Sequence, residues 1–212
     1  MPGKCTAICI AVKAKCGDCK VGAVIYVALQ VIILLFTIFG VCFDQFRPRK
    51  EFKEVVPCIS LWKVKTAGKS CISGPNTGNT KDLFPLCKKR STRIKSAEGL
   101  GIVSIVLVLV ALILGCIRLC CCSALRFVNL VLNIITIATL CVVWAQIAAI
   151  YNGNDFKKDD LIKDNACRKV KDIVVEVDGP SIYKYGSGFG LAVTAWCLQV
   201  SQHHCGYVAL LI

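Results

Sequence analysis

Between Gly99 and Ile150 the chain carries only two charged residues, Arg118 and Arg126. Both sit in or beside a short break, Cys-Ile-Arg-Leu-Cys-Cys-Cys-Ser-Ala-Leu-Arg. The apolar runs on either side are each long enough to cross a bilayer. A helix rises 1.5 Å per residue and the hydrocarbon core is about 30 Å thick, so roughly 20 apolar residues suffice. A link this short cannot recross the membrane, so the two runs form an antiparallel hairpin. Soluble helices alternate polar and apolar faces, and these runs do not. A chain of 212 residues that is 56% hydrophobic, with a mean hydropathy of +0.65, is also too apolar for an ordinary soluble domain.

Two further uncharged runs, 21–43 and 185–212, bring the expected number of spans to four. The first is too long for a signal-peptide core, and Gly40-Val-Cys-Phe-Asp-Gln offers no small-residue cleavage pattern, so it reads as a retained span. The chain then divides into a tail (1–20), a span (21–43), a long loop (44–98) and a span (99–117). A Cys-rich link (118–126), a span (127–151), a second loop (152–184) and a last span (185–212) complete it.

The net charge of +13 does not point to nucleic acid. The basic residues are scattered through connecting segments with no nucleic-acid motif around them, and suit anionic lipid head groups. Inside the first three spans the amides are Gln30, the i,i+4 pair Asn129 and Asn133, and Gln146, and the fourth span ends with the polar Gln199, Ser201, Gln202, His203 and His204. They either hydrogen-bond between helices or line a channel. No Asp, Glu, Lys or Arg lies within a span except Glu98 at an edge, which argues against an ion-coupled carrier. Gly186 and Gly190 form a small-xxx-small pair suited to close helix approach. Trp144 and Tyr151 fall where interfacial aromatic belts occur.

Cysteines cluster at two membrane edges. Cys5, Cys9, Cys16 and Cys19 lie in the tail, and Cys116, Cys120, Cys121 and Cys122 in or beside the link. Cys16-Gly-Asp-Cys19 could be half of a zinc or thiol-redox site. Without a nearby His ligand or a flanking strand pattern, S-acylation of Cys16, Cys19, Cys120, Cys121 and Cys122 is the simpler reading. His203 and His204 are adjacent, so on a helix their side chains diverge by about 100° and do not share an ion. No Ser-His-Asp set, phosphate loop or buried carboxylate pair is present, so neither an enzyme nor a bound cofactor is expected.

The loops carry weaker signals. Residues 54–65 are rich in β-formers and read as strand. Residues 73–79 form a turn cluster. Short strands are expected near 83–87 and over 172–177, the latter ended by Asp178-Gly-Pro.

One loop stretch is specific: Cys58-Ile59-Ser60-Leu61-Trp62, followed by the basic Lys65 and by Cys71. It resembles the signature of amastins, four-span surface proteins of trypanosomatid parasites. Lys20-Val-Gly-Ala-Val-Ile-Tyr-Val-Ala-Leu-Gln is similar to the amastin first span. The stretches 130–144 and 185–198 are similar to the third and fourth. Two features depart from the family pattern: Lys63 replaces the Gly that follows the signature Trp, and residues 65–70 lengthen the gap to Cys71. Amastins are in turn similar to claudins. The resemblance therefore implies a mainly α membrane protein, a left-handed four-helix bundle topped by a small extracellular β-sheet from both loops. It also implies a plasma-membrane location with cytoplasmic termini. The function implied is non-enzymatic: cell-surface organisation, or host-membrane contact through the loops, as a single chain or a homo-oligomer. A channel subunit and a membrane thiol-redox enzyme using Cys16 and Cys19 are the alternatives.

Four loop cysteines, Cys58, Cys71, Cys87 and Cys167, allow three pairings. Cys58–Cys71 keeps the signature local and leaves Cys87–Cys167 to tie the loops together. Closing the first would stabilise by about 3 kcal/mol in the chain-entropy model. The charge count points the other way on topology. The loops hold twenty Lys and Arg against six on the side of the termini, which by the positive-inside rule places the loops in the cytoplasm. The Cys-Trp motif suits an oxidising space, and the resemblance is given the greater weight. No Asn-x-Ser/Thr sequon occurs in the chain.

Overall fold

The computed structural model describes residues 17–68, 70–72, 74–82, 87–120, 125–153, 170–172 and 181–211. It contains four long helices: α1 (Gly17–Cys42), α2 (Lys88–Cys120), α3 (Leu125–Asn152) and α4 (Ser187–Leu211). Five short strands accompany them: β1 (Asp44–Pro48), β2 (Cys58–Ser60), β3 (Lys63–Lys65), β4 (Asn76–Asn79) and β5 (Tyr183–Tyr185).

The helices close a ring in which α1 and α3 each pack against both α2 and α4. Neighbours run antiparallel. Gly101 lies against Val41 and Gly115 against Tyr26, which fixes α2 on α1. Ser104 meets Thr139 and Arg93 meets Ala149, which fixes α3 on α2. Gln199 meets Asn133 while Tyr185, just before α4, stacks near Tyr151, which fixes α4 on α3.

Among the described residues three helices are long and apolar enough to cross a membrane, over Gly22–Cys42, Lys88–Ile117 and Phe127–Asn152. Helix α4 has the length but carries Gln199, Ser201, Gln202, His203 and His204 in its second half. The outward faces of the three apolar helices expose Ile25, Ile32 and Leu35, Val106 and Ile113, and Val131 and Ile134. Exposed aliphatic rows of this kind need lipid around them.

The buried stripe of each helix steps by four and three residues. In α2 it runs Arg90, Ile94, Ala97, Gly101, Ser104, Val108, Ala111, Gly115; in α4, Gly188, Ala192, Ala195, Gln199, Gln202. A 3.5-residue period is that of left-handed knobs-into-holes packing. Much of the stripe is small, which lets backbones approach where lipid supplies no hydrophobic drive between helices.

Helix α2 starts at Lys88, well before the apolar run at Gly99. The stripe explains the early start. Arg90, Ile94 and Ala97 continue the buried period through Lys88–Glu98 while Lys88, Lys89, Thr92 and Lys95 stay exposed. Charge made this segment look like loop, yet it is an amphipathic helix.

The sheet is antiparallel, in the order β4-β3-β2-β1-β5. Four strands come from the first loop and β5 from the end of the second. Phe46, Ile59 and Tyr183 bury one face against Ile94, Val143, Ile147 and Ile150 of α2 and α3. Within 54–65 the expected strand is a hairpin, β2 and β3, turning at Leu61-Trp62.

Two expectations are corrected. Asn76–Asn79, read as part of a turn cluster, is β4. Its composition opposes strand, but hydrogen bonding to the edge of β3 decides. Gly190 faces open space, so Gly186 and Gly190 are not a helix-packing pair. The close helix approach lies at Gly40, where an added Cβ would sit 2.9 Å from the Ala192 nitrogen. Residues 83–86 and 173–177, where short strands were expected, lie outside the described residues; residues 170–172 form a 3-10 turn.

Candidate functional site

The signature hairpin sits above the bundle and is tied to it and to its own turn by several interactions. Cys58 and Cys71 are joined by a disulfide with their Cα atoms 5.4 Å apart. Ile59 enters the core. The Ser60 hydroxyl donates to the Lys63 carbonyl (2.7 Å) and accepts from the Lys63 amide (3.0 Å), so it closes the turn. Thr80 donates its hydroxyl to the Ser60 carbonyl (2.8 Å) and its amide to the Trp62 carbonyl (3.2 Å). Leu61 is buried between Val41 of α1 and Ala97 of α2, with Trp62 packed on the same cluster. Lys65 Nζ donates to the Ile72 carbonyl at 3.2 Å, tying β3 to the disulfide loop. The hairpin is thus plugged into the cleft between α1 and α2.

Where the sheet meets α4 there is a second node, which the sequence reading missed. Asp44 is fully buried. Its carboxylate accepts two bonds from Arg47, both at 3.0 Å. It also accepts from the Ser187 hydroxyl (2.8 Å) and the Ser187 amide (3.4 Å). Ser187 opens α4, so the carboxylate caps that helix and complements its dipole. Gly186 and Gly188 pack directly on Asp44 and Gln45, where no side chain would fit. At the opposite pole, Arg93 donates to the Ala149 carbonyl in the last turn of α3. The sequence signal available was a lone Asp at the end of an apolar run, facing a Gly-Ser-Gly helix start.

Aromatic rings join the sheet to the bundle. Tyr185 lies 4.3 Å from Tyr151 and 4.1 Å from Phe189. The Tyr151 hydroxyl donates to the Tyr183 carbonyl. Burial pushes the Tyr183 hydroxyl up to about 12. Tyr151 is half-buried and packs against the core cluster. Trp144 packs edge-on against Trp196 at 5.6 Å.

Inside the bundle the expected amides divide. Asn133 accepts from Gln199 Nε2 (2.8 Å) and from the Tyr26 hydroxyl (3.3 Å), and Gln202 Nε2 donates to the Tyr26 carbonyl (3.2 Å). This network joins α1, α3 and α4. Gln30 is fully buried and reaches the Val108 carbonyl of α2 at 3.5 Å, the long limit of a hydrogen bond. Asn129 is buried, and neither amide atom has a partner among the described residues. Gln146 is half-buried. Sequence reasoning did not give Gln199 and Gln202 this role, although an amide inside an apolar helix was the signal.

Cys87 is disulfide-bonded; Cys167, its expected partner, lies outside the described residues. So do Cys16, Cys121 and Cys122, and the side chains of Cys19 and Cys120. Among the described residues no group of His, Cys, Asp or Glu could hold a metal ion.

No curated relative matches the chain. The family model described as Amastin surface glycoprotein matches residues 31–204. That span takes in α1 from Val31, the whole sheet, the hairpin helices and α4 as far as His204, so the chain belongs to the amastin surface glycoprotein family.

Proposed function

We propose that this chain is a four-span protein of the plasma membrane, claudin-like in architecture, whose sheet lies outside the cell and whose termini and Cys-rich link are cytoplasmic. Its role is non-enzymatic: organisation of the cell surface or contact with a host membrane through the sheet. The observation that carries the reading is the Cys58–Cys71 disulfide at the base of the signature hairpin, since disulfides persist in oxidising compartments. The antiparallel order of all four helices supports a fourth crossing by α4. The amide network supports helix cohesion over a conducting path, because the Gln199 and Gln202 nitrogens donate to α3 and α1.

Impermeant maleimide on intact cells tests the topology. Unmutated protein should label at Cys58, Cys71 and Cys87 only after reduction. Cys167→Ser should make Cys87 reactive without reduction, as the proposed Cys87–Cys167 bridge requires. Absence of labelling even after reduction would put the loops in the cytoplasm, as the charge count does. Acylation of Cys120, Cys121 and Cys122, beside Arg118 and Arg126 at the membrane edge, is tested by acyl-exchange labelling. The signal should fall to background in the triple Cys→Ser variant, and equal background in both proteins would dismiss it.

A further inference from the structure

The charged residues of the five strands are Asp44, Arg47, Lys63, Lys65 and Lys184. Asp44 is the one carboxylate among them, and Arg47 neutralises it within the fold. The three lysines remain, Lys63 and Lys65 on β3 and Lys184 on β5, three strands away in the same sheet. Arg47 is paired directly with Lys184 across β1 and β5, Cys58 with Lys65 across β2 and β3, and Lys65 with Asn76 across β3 and β4. Lys63 is paired with Asn79 beside this row. Because side chains alternate along a strand, these residues share the face opposite Phe46, Ile59, Val64 and Tyr183, which are buried; Cys58, between Lys65 and Arg47 in the row, is buried too, under its disulfide to Cys71, so the cations flank that bridge.

Neighbouring strands are about 4.8 Å apart, so Arg47 and Lys184 would repel across β1 and β5 were Arg47 not paired with Asp44, whereas no strand carboxylate faces Lys63 or Lys65. Lys63 Nζ donates to Asn79 Oδ1 at 3.0 Å and Lys65 Nζ to the Ile72 carbonyl at 3.2 Å; both acceptors are neutral, so both ammonium charges stay available. Lys184 is exposed. Asp82, which accepts from Asn79, and the exposed Glu51 and Glu54 lie on the connections.

We propose that this sheet face binds a sulfated polysaccharide, with Lys63, Lys65 and Lys184 meeting sulfate groups and the Asn76 amide hydrogen-bonding along the chain. An extended polyanion matches a row of cations that crosses the strands. A surface that docks on a bilayer would carry aromatic or aliphatic residues among its cations. The strands carry none between these lysines; Val55 sits on a connection, and Ile72 stands at one end of the row, where its carbonyl holds Lys65 Nζ. The proposal rests on the reading of the sheet as extracellular, but its test does not depend on topology.

Purified full-length protein in nanodiscs of neutral lipid is titrated with a fluorescent heparin oligosaccharide, its desulfated counterpart, and vesicles containing phosphatidylserine. The sulfated probe should bind, weaken with salt, and bind about tenfold or more weakly to Lys63→Gln/Lys65→Gln/Lys184→Gln. The three Lys→Arg replacements should retain binding. Lys88→Gln/Lys89→Gln/Lys95→Gln, an equal loss of charge on α2, should bind as the unmutated protein does. Equal loss in both Gln triples would reduce the effect to net charge and overturn the proposal. So would equal affinity for the desulfated probe, or binding of the vesicles alone. A positive result here together with failed labelling on cells would sink the topology and leave the binding face standing.

Discussion

Asn129 and Asn133 occupy equivalent places on α3, one turn apart, yet they differ in worth. Asn133 holds Gln199 and Tyr26, whereas Asn129 is buried without a partner among the described residues. Removing one partner of a made bond leaves the other unsatisfied, while removing an unsatisfied group relieves a cost. Asn133→Leu should therefore lower stability by roughly 0.6–2 kcal/mol, and Asn129→Leu should be neutral or stabilising. Thermal unfolding in detergent measures both, and equal losses would show that position rather than bonding matters. The sequence announced these amides as unusual, since each interrupts an apolar run. It could not announce which were satisfied, because Gln199 lies 66 residues from Asn133 and partner choice is set by the ring of helices. The signature was more legible. Its cysteines, serine, leucine and tryptophan each act within or directly beneath one hairpin, so their spacing carried the information.

At the scale of the elements, α1, α2 and α3 were visible as apolar runs, but their packing faces were not. A 3.5-residue period marks those faces, with small residues on α2 and larger aliphatics on α3, and neither stands out against a uniformly apolar background. Gly40 tests the point. An added Cβ would lie 2.9 Å from the Ala192 nitrogen and 3.1 Å from its Cα, backbone that cannot turn aside. Gly40→Val should separate α1 from α4 and lower the melting temperature markedly. Gly22→Ala, with nothing within 4 Å, should be neutral or mildly stabilising through helix propensity. Differential scanning fluorimetry of the pair decides, and a tolerated Gly40→Val would show that the helices are free to part. The start of α2 was hidden for a different reason. Its first three turns are charged on the outside and buried on one stripe, so composition suggested a loop where periodicity meant a helix.

For the whole molecule, the decisive joint is Asp44. Its carboxylate collects Arg47, Ser187 and the first turn of α4, residues 140 or more positions apart in the chain. Asp44→Asn should cost on the order of 1–3 kcal/mol. That lies below the range for a fully buried pair, because Arg47 keeps 37% of its side chain in solvent. Urea or thermal unfolding in detergent checks the size, and an unchanged midpoint would remove the joint from the account. The placement of this joint has a mechanical consequence. One residue, Phe43, separates α1 from β1, and one residue, Gly186, separates β5 from α4. With Leu61 wedged between α1 and α2, these two joints leave β1 no slack against α1 and β5 none against α4. A pull on β1 or β5 is therefore passed to the helix that continues it. The bundle feels whatever the sheet holds, in the manner of a lever whose handle and blade are forged in one piece.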